Sequence, residues 1–230
     1  MPIPNMPQEL DAVIWDFNGT LIDDVALTVR SVNVQLERRG LPQITVDLLR
    51  QVFEFPVEDY YRRIGLDPTA ESMSALSTEF HEEYMRGLLE CPLHVGVGDA
   101  LDRFKTQGAR QFVLSAMGEE MLRSAIEHLG VGGYFAAIYG LAHLEGDSKV
   151  SRGRDLMNDY GIVPETALLI GDTDHDAEVA EALGISVVLI AQRYQSEARC
   201  RATGQPVYRS VRPLAKAGGG GVWDAGLPVS

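Results

Sequence analysis

Two stretches of the chain place acids where phosphoryl chemistry could use them. The first is Asp16-Phe17-Asn18-Gly19-Thr20-Leu21, which follows the apolar run Ala12-Val13-Ile14-Trp15. A carboxylate at a strand's end, with glycine just beyond, sets a potential nucleophile beside a tight loop of backbone N–H groups. Such a loop can hold a phosphoryl group against the acid. A strand ending in an Asx-Gly turn is the plainer reading of the same residues. The second stretch is Gly171-Asp172-Thr173-Asp174-His175-Asp176, after Leu168-Leu169-Ile170. Acids gathered this closely repel one another unless a cation or a helix N-terminus neutralises them. Their hard oxygens suit Mg²⁺, although an N-capped helix with acids in its first turn would also account for them. Ser115 closes the run Phe112-Val113-Leu114, where its hydroxyl and the amide of Ala116 could donate to a phosphate oxygen. Lys149 opens a helical stretch running toward Met157 and Tyr160. Taken singly, Ser115 reads as a turn residue and Lys149 as a solvated lysine.

The elements around these residues give them a common address. Short β-rich runs (Ala12 to Trp15, Phe112 to Leu114, Phe135 to Tyr139, Ala167 to Ile170, Val187 to Ile190) alternate with helical periodicity. One helical face carries Met121, Leu122, Ala125, Ile126 and Leu129 and is stopped by Gly130. Continuous apolar strands separated by helices predict a parallel sheet covered on both faces. Ligands of such sheets bind outside the carboxyl ends of the strands. Asp16, Ser115 and Asp172 all fall at such ends, a co-location not expected of unrelated turn residues.

Residues from about Asp23 to Glu90 have a different texture. Val25, Val29, Val32 and Leu36 recur at helical spacing, with Asp24 as N-cap and Gly40 as stop. Pro56 opens a helix carrying Tyr60, Tyr61 and Ile64 and closed by Gly65; Met73, Leu76, Phe80 and Tyr84 mark another. This predicts an all-helical insertion after the first strand of an α/β domain.

Composition narrows the partners. The chain has 230 residues, 45% hydrophobic and 23% charged, enough for one sizeable core or a core with a small second domain. Its formal charge of -13 opposes binding to nucleic-acid backbones by bulk electrostatics. Cys91 and Cys200 match no metal-ligand spacing, which favours a reducing compartment. No run approaches the ~18 apolar residues of a membrane span, and MPIPNMPQEL has neither the basic start nor the apolar run of a signal peptide. A cytoplasmic protein without membrane or nucleic-acid partners is expected. Gly218 to Gly221 reads as the start of a flexible tail over 218–230.

In order and spacing the motifs resemble those of the haloacid dehalogenase-like superfamily. Asp16 through Leu21 is similar to its first motif, Ser115 to its second, Lys149 to its third, and Gly171-Asp172 through Asp176 to its fourth. The helical insertion resembles the cap of the phosphoglycolate phosphatase-like branch. The resemblance implies a Rossmann-like parallel-sheet core from 1–22 and 91–217 with an all-helical cap from 23–90. It also implies Mg²⁺ held by Asp16, the Asn18 backbone carbonyl and Asp172, with Asp176 orienting the metal's waters or Lys149. Asp16 would attack a small phosphorylated metabolite and form an aspartyl-phosphate. Gly19, Thr20, Ser115, Ala116 and Lys149 would bind the phosphoryl group. Phosphoglycolate is the substrate suggested by the branch alone.

One residue departs from that pattern. Phosphatases of the family carry at the position of Asn18 a second Asp, which protonates the leaving group and then deprotonates water. An amide does neither, and positioned acid–base catalysis contributes typically ~10²–10⁴-fold. Either another group substitutes, with Asp23, Asp24 and His175 near in sequence, or the leaving group needs little protonation, or Asn18 is an introduced change that traps a covalent state. If the missing acid limits turnover, Asn18→Asp should raise kcat. A non-catalytic phosphate-sensing module is the alternative of another class. Dehalogenase chemistry needs no metal and does not fit the acidic cluster; phosphonatase chemistry needs a cap lysine, and residues 23–90 contain none. Arg62 and Arg63 could meet an anionic substrate tail or belong to a solvated helix face.

Overall fold

The computed structural model describes residues 7, 9–70, 72–142 and 148–216. The expected tail lies outside them. Six parallel strands form one sheet: β1 (Ala12–Trp15), β2 (Arg110–Gly118), β3 (Ala137–Leu141), β4 (Ala167–Gly171), β5 (Ser186–Ile190) and β6 (Val207–Tyr208), in the order β3-β2-β1-β4-β5-β6. β1 lies between β2 and β4, with Trp15 opposite Val113 on one side and Ile170 on the other. The chain therefore reverses its direction of travel across the sheet at β1, which places the topological switch point between β1 and β4.

Alternate side chains of each strand feed separate cores. Val13, Trp15, Leu168 and Ile170 pack on one face with α5 (Val97–Thr106) and α6 (Glu119–His128). Ala12, Ile14, Phe112 and Leu169 pack on the other with α7 (Lys149–Tyr160) and α8 (Asp174–Leu183). Burial on both faces explains why the strands read as unbroken apolar runs. Trp15 keeps its indole N–H satisfied by donating to Gln111 Oε1 at 3.0 Å.

Between β1 and α5 run α1 (Val25–Arg38), α2 (Val46–Val52), α3 (Val57–Arg63) and α4 (Met73–Leu88). Among the described residues this segment contains no strand. Val25, Val29, Val32, Leu36, Leu49, Tyr60 and Leu76 build a third core between these helices, which Tyr194 of the sheet domain joins. The insertion is an all-helical cap. Two crossing segments tie it to the sheet domain: Asp23 N–H donates to Pro92 O, and His94 N–H to Leu21 O, both at 2.9 Å.

Four element readings change. β2 does not end at Ser115 but runs on to Gly118, with its pairing to β3 shifted between Leu114 and Gly118. α2 was absent from the sequence pattern because, in seven residues, only Leu49 is buried; its Thr45 cap is the local signal. β3 starts at Ala137 rather than Phe135, since residues 132–134 form a 3₁₀ turn that carries the chain into the strand. β6 is a two-residue edge strand, too short for a periodic signal. α9 (Glu197–Ala202) and α10 (Arg212–Lys216) complete the fold.

His94 sits in the crossing, buried, its Nε2 without a hydrogen-bond partner and its Nδ1 3.6 Å from Asp23. Burial and the nearby Arg193 guanidinium push its imidazole down to about 4, against the pull of Asp23. The folded imidazole stays neutral where the unfolded one, near ~6.5, takes up a proton. His94 thus contributes stability above ~6.5 that is lost as pH falls toward about 4. Thermal melts from pH 7 to 4 should show a steeper acid loss for the native chain than for His94→Gln; parallel curves would remove His94 as the cause.

Candidate functional site

Asp16 follows β1 directly, its N–H donating to Ile170 O at 2.9 Å, so it stands level with the end of β4. Asp172 lies one residue beyond β4, and Asp176 lies in the first turn of α8. Thr173 caps that helix in a reciprocal box with Asp176. The bland reading of the second acidic stretch, a capped helix with acids in its first turn, is therefore correct locally. It is also incomplete, because the same turn brings oxygens of Asp16, Asp172 and Asp176 within 4.8 Å of one another, all buried. Lys149, at the start of α7, reaches between them: its Nζ donates to Asp16 Oδ1 at 2.5 Å and to Asp176 Oδ1 at 2.6 Å.

Two glycines make this approach possible. A Cβ on Gly171 would lie 2.3 Å from Asp176 Cγ. Gly19 has φ of +73°, and a Cβ there would lie 2.5 Å from Asp172 Oδ2. Any larger residue at either position would push the carboxylates apart.

The electrostatics divide the three acids. Burial, outweighing the Lys149 charge, pushes Asp16 up to about 7. Burial and then the charges of Asp16 and Asp176 push Asp172 well above the ordinary aspartate range. Burial also acts to raise Asp176, but Lys149 and the Thr173 donors overcome it and hold that group low. Its oxygens accept from Lys149, from the Thr173 hydroxyl at 2.8 Å, and from the Asp172 and Thr173 N–H groups. Asp172 is less well served. Its Oδ2 accepts from Tyr194 N–H at 2.9 Å, while its Oδ1 has the Thr20 hydroxyl at 3.5 Å. Asp16 and Asp172 are thus the acids with unmet charge, and their oxygens could hold a hard divalent cation.

A cavity of about 290 Å³ opens above this floor. Asp16, Asn18, Ser115, Ala116, Lys149, Asp172 and Asp176 all line it, so most of the sequence-selected residues meet there. Gly19 and Thr20 do not line it. The Gly19 N–H is turned inward, donating to Asp24 Oδ1 at 2.9 Å, and Thr20 is buried beneath Asp172. Of the residues expected to bind the phosphoryl group, these two are the ones the structure does not bring to the cavity. Arg62 and Arg63 are exposed and engaged with Asp59 and Glu54 respectively, away from the cavity.

Asp24, named from sequence as an N-cap and as one group that could stand in for an acid at 18, bonds Asn18 itself, a contact the sequence did not foretell. Asp24 is not a capping side chain; among the described contacts it makes no cap bond on α1. Its carboxylate is fully buried and accepts from Asn18 Nδ2 at 2.8 Å, Tyr84 Oη at 2.6 Å and Tyr194 Oη at 2.8 Å, besides Gly19 N–H. Asn18 Nδ2 also donates to Tyr84 Oη at 2.8 Å. Burial and the Asp24 charge push both tyrosines up, so both remain protonated donors. The carboxylate sought at 18 therefore stands at 24, behind Asn18 and outside the cavity lining. Of the other candidate acid–base groups, Asp23 faces His94, while His175 lines the cavity with its ring 4.5 Å from that of Phe55.

The sequence profile described as haloacid dehalogenase-like hydrolase matches residues 13–190. The tyrosine-protein kinase PtkA of Mycobacterium tuberculosis is 30% identical over 184 residues, covering 79% of this chain and 62% of that protein. The chain thus spans less than two thirds of that relative's length. The phosphoglycolate phosphatase of Rhodobacter capsulatus is 27% identical over 192 residues, 80% of this chain and 85% of the relative. Among solved structures, one described as a predicted phosphatase from Clostridium acetobutylicum superposes with a TM-score of 0.77 at 21% identity, over 90% of this chain and 97% of that one. That likeness is one of fold.

The Asp24 contact replaces the expectation that Asn18→Asp alone raises kcat. An acid at 18 would face a buried carboxylate across the present 2.8 Å bond and lose both amide donations. The single variant should lose about 1–3 kcal/mol of stability without gaining turnover. Adding Asp24→Asn restores an acid–amide pair and should recover most of the loss. Thermal melts of the four proteins of this cycle would show strong coupling; additive effects would mean that the two side chains do not act as a pair.

Proposed function

The chain belongs to the haloacid dehalogenase-like hydrolase family, and on that premise we propose that it is a Mg²⁺-dependent phosphatase acting on a small phosphomonoester through an aspartyl-phosphate on Asp16. The observation that carries this reading is the buried group of Asp16, Asp172 and Asp176 around Lys149 on the floor of the cavity. With all three ionised, these carboxylates against one ammonium would repel a phosphate ester. The unmet oxygens of Asp172 and Asp16 fit a divalent cation. Asp16, Asp172 and the Asn18 main-chain carbonyl would hold it, with Asp176 behind them. Bound there, Mg²⁺ neutralises the cluster and the phosphoryl oxygens.

The chain's own groups divide the remaining work. Lys149 fixes Asp16 by Oδ1 and leaves Oδ2 to attack phosphorus. As that bond forms, the ester P–O bond breaks and its electron pair leaves with the alcohol oxygen. Ser115 and the Ala116 amide hold phosphoryl oxygens as charge spreads over them. Water then attacks the aspartyl-phosphate, releasing phosphate and regenerating Asp16. Asn18 orients the loop but moves no proton. The helical cap, taken as residues 23–90 over a core of 1–22 and 91–217, limits access of bulk water and large substrates.

A kinase such as the named mycobacterial relative must also seat a phosphoryl donor. Among the described residues lining the cavity, Lys149 is the sole lysine or arginine, and both its carboxylate contacts engage it. A polyphosphate finds no cationic cradle there, which favours hydrolysis of a monoester. Phosphate release from a small phosphoester panel, with and without Mg²⁺, separates this reading from a phosphate-sensing module. Asp16→Asn should abolish release while melting close to the native chain.

The ion itself has a separate readout. Protons favoured on Asp16 and Asp172 must leave when a cation binds, so affinity rises with pH. Millimolar Mg²⁺ should raise the melting temperature more at pH 8 than at pH 6. In Asp172→Asn the shift should largely vanish. A melting temperature indifferent to Mg²⁺ at both pH values would remove the metal from the proposal.

A further inference from the structure

The floor of the cavity suits a phosphoryl group, but its walls suit something else. Phe53, Phe55, Tyr60, Phe80 and Met117 contribute to a lining dominated by aromatic and apolar side chains. No arginine lines it among the described residues. The cap arginines are engaged outside: Arg62 with Asp59 and Glu58, Arg63 with Glu54, Arg38 with Glu79 and Glu83. A carboxylate or second phosphate on the leaving group would enter this wall without a fixed cationic partner, and an unpaired buried charge is strongly disfavoured. An aromatic ring would be accepted face or edge against the existing rings.

From this cavity wall and the amide at Asn18, we propose that the substrate is a small aryl monophosphate whose leaving group carries no further charge. The inference rests on the phosphatase reading above and names its leaving group. Asn18 points the same way by independent chemistry. A phenol, with a pKa of about 10, is far more acidic than an aliphatic alcohol, so a phenolate departs where an aliphatic alkoxide needs an acid. Asp16 Oδ2 bonds to phosphorus and the P–O(aryl) bond breaks, its pair leaving on the phenolate. Water then forms the new bond to phosphorus, the Asp16 ester bond breaks, and the proton released from water ends on the phenolate. The products are a phenol and inorganic phosphate.

The test compares kcat/KM of the full chain with Mg²⁺ for 4-acetamidophenyl phosphate, phenyl phosphate, 4-carboxyphenyl phosphate and phosphoglycolate, with acetyl phosphate as an activated ester lacking a ring. The acetamido ester should exceed the carboxyphenyl ester and phosphoglycolate by at least about tenfold, the cost of seating an unpaired anion. Asp16→Asn, which cannot turn over, supplies the same ranking by calorimetric binding. If no ester is hydrolysed, acetyl phosphate included, while the binding ranking holds, the phosphatase reading fails and the aryl site stands. If phosphoglycolate or the carboxyphenyl ester ranks first in both assays, the aryl assignment is overturned.

Discussion

Three buried carboxylates within 4.8 Å of one another, with one ammonium between two of them, set the terms for everything around them. Charges taken out of water at this density are costly unless nearly every lone pair has a donor. Asp176 meets that demand through Lys149 and the capping turn of α8. Asp16 and Asp172 do not, which is why burial drives both upward. The sheet order brings them together, since β1 and β4 pair although about 150 residues separate them in sequence. Lys149 enters from α7, the helix that precedes β4. Glycine at 19 and 171 then removes the atoms that would hold the acids apart.

A fourth buried carboxylate, Asp24, carries this constraint into the cap. It gathers donors from the site loop (Asn18, Gly19), from α4 (Tyr84) and from the loop after β5 (Tyr194). Tyr194 Oη also lies 2.5 Å from the Thr28 hydroxyl of α1. Two layers of the molecule therefore meet on one acid. The amide at 18 is what that acid requires, because Asn18 offers hydrogens to Asp24 and Tyr84 where a carboxylate would offer none. Residue 18 and residue 24 form a matched pair, and the chemistry available at one follows from the charge at the other.

Much of this was legible in the sequence, for a physical reason. Strands buried on both faces must be apolar throughout, so Ala12 to Trp15 and Ala167 to Ile170 announced a covered parallel sheet. The acids that follow such strands must lie at the sheet's carboxyl edge, so Asp16 and Asp172 could be placed together from sequence, whereas Ser115 reaches the same cavity from within β2, which runs on to Gly118. Local pattern was insufficient where a residue's role depends on a distant partner. Asp24 satisfied every rule for an N-cap, yet its carboxylate is taken by side chains up to 170 positions away. Gly19 and Thr20 belonged to the expected loop, but the direction of a single N–H was not written in the motif. The aromatic wall was equally hidden. Phe53 and Phe55 sit between two short helices, in a stretch with no periodicity to mark them.

The relation to relatives named both as a tyrosine kinase and as phosphatases follows from the same division of labour. The floor is built by strand ends and helix starts of the sheet domain, and in the proposed reaction it would meet only the phosphoryl group. The wall is built largely by the inserted helices, and there it would meet the leaving group. Substitutions at Phe55, Tyr60 or Phe80 would alter that wall without touching Lys149, Asp172 or the sheet register. Asn18 is the exception, since its amide faces the cavity while bonding the acid that joins both layers. Changing the leaving group's need for a proton therefore demands a change at 18 and a compensating change at 24. The reaction's most adjustable step is tied to the contact that holds the cap to the sheet.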